Sequence, residues 1–157
     1  MSAPAIALYD ESHAALVSTW GIGTVKAQVP SDILTVHIWN NRNGSDAVSD
    51  LKDCTIGVYD ATGSTANEDV AKDKWVQINV PSVDGTDTVW TRIGGETTKQ
   101  IRANEGVTDF SISGAANDGA IGTNGKNFST IRLRVNAPIN SVPGNKSFKV
   151  RLIGYYT

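Results

Sequence analysis

Ile33-Leu34-Thr35-Val36-His37-Ile38-Trp39, followed by Asn40-Asn41-Arg42-Asn43-Gly44-Ser45, decides the fold class. Leu34, Val36 and Ile38 fall on one side of an extended chain and Thr35 and His37 on the other, the period of a half-buried strand. The Asn/Gly-rich stretch then closes it as a loop. The same alternation recurs outward along the chain. Cys54, Ile56 and Val58 alternate with Thr55, Gly57 and Tyr59, while Val76, Ile78 and Val80 share one face of residues 75–80. Asp84-Gly85 marks a turn before Val89-Trp90-Thr91-Arg92-Ile93, and a further extended segment covers residues 107–112. Residues 130–137 and 146–156 supply two long final strands. With weaker strands at residues 5–9 and 21–27 the total is about eight or nine, at the short spacing of a sandwich or barrel.

Composition agrees. Fifteen Val, thirteen Ile and fifteen Thr stand against six Leu, and β-branched side chains suit pleated surfaces better than helices. Fifteen Gly, twelve Asn, thirteen Ser and twelve Asp furnish the turns. The length of 157 residues fits one domain, residues 1–157, able to bury about 70% of its unfolded surface without disulfide or metal. The lone Cys54 alternates with core positions and reads as a small buried hydrophobe. One helix of a turn or two is expected after Thr65-Ala66-Asn67-Glu68, which has capping-box spacing. Residues 114–126 hold almost nothing large to bury and read as a long loop.

Charge narrows the function classes. Fourteen Lys and Arg against sixteen Asp and Glu give a net charge of -2, and the charged fraction is 19%. That balance excludes a dedicated nucleic-acid binder, which is normally basic. No apolar run has the 18 or so residues of a membrane span, so neither a nucleic-acid nor a membrane partner is expected. The opening Met1-Ser2-Ala3-Pro4-Ala5-Ile6-Ala7-Leu8 lacks the basic and apolar regions of a secretory leader. Cytoplasmic synthesis is the expectation.

Catalytic patterns are lacking. His13 and His37 stand apart with no metal-ligand spacing. No serine sits in a nucleophile-elbow pattern, and Gly21-Ile22-Gly23 lacks the third glycine of a dinucleotide site. Asp50, Asp53, Asp60, Asp69 and Asp73 do not have calcium-loop spacing. The expectation is a protein that is not an enzyme and needs no cofactor and no metal.

Binding residues are easier to nominate. Trp39, Trp75 and Trp90 fall opposite the aliphatic residues of their strands, which leaves them to a covering loop, a protein contact or a sugar-stacking platform. In the last two strands Ile131, Leu133 and Val135 oppose Arg132 and Arg134, and Phe148, Val150 and Leu152 oppose Lys149 and Arg151. Paired as a hairpin, these strands would gather four cations on one outer face. Like charges directly opposite are destabilising, so either a neighbouring Asp-rich stretch near Asp46, Asp50 and Asp53 or an acidic partner must compensate. Trp39, Arg42, Trp75, Trp90, Arg132, Arg134, Lys149 and Arg151 are the candidate partner-binding residues.

Trp20-Gly21-Ile22-Gly23-Thr24-Val25-Lys26-Ala27 with the strand ending in Asn40-Asn41, and Val142-Pro143-Gly144-Asn145-Lys146-Ser147-Phe148 before the terminal strand, resemble segments of immunoglobulin-like sandwich domains. There is no Cys…Trp…Cys framework, so antibody-type domains are not implied. Ile38-Trp39-Asn40-Asn41-Arg42-Asn43-Gly44 and the terminal Tyr155-Tyr156 look like structural proteins of tailed bacteriophages. The resemblance implies an all-β, immunoglobulin-like antiparallel sandwich that decorates and stabilises a phage head. Its partners would be the major capsid protein, other virion proteins or further copies of itself, and its location the virion. The alternative is a tail-associated or carbohydrate-binding adhesion module that contacts the host surface.

Overall fold

In the computed structural model, which describes all residues 1–157, eight strands form two antiparallel sheets around one apolar core. The chain runs β1 (Ile6–Tyr9), β2 (Leu34–Asn40), β3 (Lys52–Asp60), α1 (Asp69–Lys72), β4 (Val76–Asn79), α2 (Pro81–Asp84), β5 (Thr91–Ile93), β6 (Lys99–Gln100), β7 (Phe128–Val135) and β8 (Phe148–Tyr155). The larger sheet has the order β1-β2-β7-β4-β5 and the smaller β6-β3-β8. The set 1-2-7-4 facing 3-8 corresponds to the A-B-E-D and C-F strands of an immunoglobulin-type sandwich. No strand pairs with the second edge of β8.

The alternation read from the sequence sets which face each strand buries. Ile131, Leu133 and Val135 of β7 are 2%, 3% and 3% exposed, and with Val36, Ile38, Val76 and Ile78 they meet Cys54, Ile56 and Val58 of the opposing sheet. Cys54 is a core residue, and burial pushes its thiol pKa up to about 12.

Four expectations are corrected. β7 and β8 do not pair: β7 lies between β2 and β4, and β8 pairs with β3 in the other sheet. The chain from Asn136 to Ser147 crosses from one sheet to the other, so the link is not a hairpin. Residues 21–27 form no strand. Of residues 107–112 only Ile112 makes a β-bridge, to Leu51. The N-cap of the helix is Glu68 rather than Thr65, with no side-chain cap hydrogen bond; burial of Val70 and Ala71 holds the helix instead. The long loop is present, and buried amides fasten it: Asn41 Nδ2 donates to the carbonyls of Asp46 and Gly114, and Asn127 Nδ2 to those of Ser113 and Ala115.

Candidate protein-binding surface

The outer face of the larger sheet is built in rows, because residues in register on adjacent strands point the same way. Ala7, Trp39 and Phe128 form one row, and Tyr9, His37 and Thr130 the next. Thr35, Arg132 and Asn79 follow, then Arg134, Gln77 and Arg92. One end of this face is aromatic and the other cationic.

At the cationic end the loop over residues 84–90 folds back across β4. Asn79 fastens it, its Nδ2 donating to the carbonyls of Thr86 (2.8 Å) and Val89 (2.9 Å). This return sets Trp90 under two guanidinium groups, Arg134 at 4.1 Å and Arg132 at 5.4 Å from the ring centroid. Arg132 Nη1 donates to the Asp87 carbonyl at 2.7 Å and Arg134 Nε to Gln77 Oε1 at 2.7 Å. Arg92 Nη1 reaches the carbonyls of Lys74 and Asn136. All three arginines and Trp90 are half-buried. None of them is paired with a carboxylate, since the salt bridges of the chain are Lys99–Asp84 and Lys146–Asp69. Burial, and then the charges of Arg92 and Arg132, lower the pKa of Arg134. Each cation–π contact here is worth about 0.5–2 kcal/mol depending on desolvation, so the stack is held in place but its charge is not neutralised. The Asp-rich stretch expected to compensate lies elsewhere: Asp50, for instance, accepts from the Gly114 amide.

At the aromatic end, residues 10–16 cover the sheet. Trp39 is 0% exposed and stacks on Phe128 at 4.4 Å, so it cannot serve as a surface contact. It points away from the aliphatic face, as the alternation of its strand predicts, and the covering loop is what buries it. His13 lies flat on His37, 3.6 Å between centroids, and accepts the Trp39 Nε1–H on Nδ1 at 3.0 Å. Arg42 stands over Tyr9 at 4.4 Å and Trp39 at 4.9 Å while donating to the His13 carbonyl.

Trp75 is also removed from the candidate contacts. At 7% exposure it belongs to the core, because β4 begins only at Val76 and its alternation does not extend back to residue 75. Lys149 and Arg151 lie on the outer face of the smaller sheet, where Arg151 sits 4.9 Å from the Tyr59 ring centroid. The four cations therefore divide between the two outer faces of the sandwich. Arg92 was not among the candidates, although in residues 89–93 it shares the parity of Trp90, opposite Val89 and Ile93. No protein-family model matches this chain and no curated protein matches it.

Proposed function

We propose that this chain is a non-enzymatic structural protein of a phage virion that binds the assembled head through the cationic end of the larger sheet. The observation that carries the binding face is the Trp90, Arg132 and Arg134 stack beside Arg92, three guanidinium groups preorganised by backbone and amide contacts and none of them in a salt bridge. Arg and Trp dominate the energetics of protein interfaces when held in place before binding. Such a face suits an acidic protein surface, and repetition on a symmetric lattice multiplies a modest single contact. The virion assignment rests on the resemblance of residues 38–44 and Tyr155-Tyr156 to phage structural proteins. A sugar-stacking platform needs several exposed coplanar tryptophans, and with Trp39 and Trp75 buried the adhesion alternative has less support.

The test is co-sedimentation with expanded capsids that lack the protein and, separately, with host cell walls. Saturable pelleting with capsids, weakened about tenfold or more in the Arg132→Glu, Arg134→Glu variant, is expected. Pelleting with walls alone, or capsid binding indifferent to the charge reversal, refutes the proposal.

A further inference from the structure

The sandwich is unfinished along one side. β8 bonds to β3 through one edge, and its other edge makes no backbone hydrogen bond. Facing the same groove, residues 18–25 run without donating a single backbone hydrogen bond. Trp20 meets Phe148 edge-on at 5.7 Å, so the two banks touch through side chains rather than through their backbones.

The groove between them has a volume of about 1210 Å³ and reaches down to the core. That exceeds the roughly 300–1,000 Å³ usual for a small-molecule pocket. The apolar side of β8 is correspondingly incomplete: Phe148, Val150 and Leu152 point inward yet remain half-buried, whereas the inward residues of β7 are at most 3% exposed. An open edge with unpaired backbone groups is a template for another strand.

We propose that this groove is a docking site for a short extended segment of a partner polypeptide, apolar on its inward face and acidic on its outward face. The backbone groups of β8 would pair with the incoming strand, and its alternate apolar side chains would complete the core beside Val150 and Leu152. The outward face is chosen by charge. The charged residues lining the groove are Lys146, Lys149 and Arg151, with no carboxylate among them. Lys146 is engaged by Asp69 at 2.8 Å, which leaves Lys149 and Arg151 on the outer face of β8 to meet the neighbouring strand's outward side chains. Acidic residues there are favoured, and like charges opposed. For the same reason a second copy is a poor occupant, because two-fold pairing of β8 with β8 brings these cations against their own duplicates. This site is separate from the arginine face and does not depend on it.

The probe is a synthetic peptide, Thr-Val-Glu-Val-Glu-Val-Thr-Val, eight residues long to match the 8 residues of β8. It is compared with the same peptide carrying Lys for Glu and with a scrambled order that loses the alternation. Titration is followed by tryptophan emission, with Trp20 as the reporter, and by hydrogen exchange at the amides of β8 and residues 18–25. The acidic peptide is expected to protect both segments and to bind about tenfold tighter than the Lys peptide. The surface variant Lys149→Glu, Arg151→Glu leaves the core untouched and is expected to reverse that preference. No protection at β8 by any of the peptides, or equal affinity for the acidic and Lys forms, overturns the proposal. Concentration-dependent dimerisation that protects β8 without peptide also overturns it and assigns the groove to a second copy.

Discussion

Acidification should loosen residues 10–16 through His13. The ring accepts the indole N–H of Trp39 on Nδ1, and because that indole can only donate, Nδ1 carries no proton in the native state. Stacked on it, His37 places Nε2 against the Glu11 carbonyl and Nδ1 against the Thr130 hydroxyl, which requires the proton on Nε2. Protonating His13 sets N–H against N–H and a cation against both His37 and Arg42. Burial first, then those charges, push its pKa down from 6.5 to about 4. Since the unfolded chain binds the proton more readily, stability rises with pH across this window. The contribution is fully present above the unfolded value and is lost as pH falls toward about 4. At about 1.4 kcal/mol per pKa unit the ceiling is ~3 kcal/mol, and solvent screening at the loop's edge reduces it to about 1–2 kcal/mol. His37, whose pKa burial also lowers, acts in the same direction. The assay is urea unfolding at about pH 7.5 and about pH 4.5 at fixed ionic strength. His13→Asn is the control, because His13 has φ 59° and Asn tolerates that region. The native protein should lose about 1–2 kcal/mol more than the variant between the two pH values. Equal losses refute the reasoning.

Three further outcomes follow from the core and its turns. Ile131→Ala, at a site 2% exposed between the sheets, should cost about 2–5 kcal/mol in denaturant unfolding. Gly94→Ala places a Cβ 2.2 Å from the Ala71 carbonyl at φ +138° and should cost about 3 kcal/mol, visible as a lowered Tm. Cys54, with its pKa pushed up to about 12 by burial, should resist a thiol reagent in the native state and react fully in denaturant.

The sequence disclosed faces better than partners. Period-two patterning assigned the inward residues of β2, β7 and β8 because alternation is a property of a single strand. It could not say which strand lies alongside: either sheet satisfies the pattern of β7 and β8, and the misplaced hairpin merged two cationic faces into one. Trp39 shows the same limit, since its direction was legible while the loop that covers it comes from residues 10–16, distant in sequence. Residues 21–27 do carry an extended, half-apolar pattern, yet a strand also needs a hydrogen-bonded neighbour, and here none is supplied. Arg92 shares the parity of Trp90 in residues 89–93, so its face was legible, while its place beside Arg134 comes from the pairing of β5 with β4.

The pairing of strands far apart in the chain bears on when the molecule can assemble. His37 meets Thr130 at a separation of 93 positions, and Ile56 waits for Leu152. Neither sheet has its central pairing until the last strands arrive, so closing the long intervening loops costs entropy before any core contact offsets it. During synthesis β2 and β3 leave the ribosome without their principal neighbours, and the chain should commit to its native state slowly and only near completion. A nascent chain arrested before β7 would display both apolar faces at once, the condition under which chaperone capture and aggregation compete with folding.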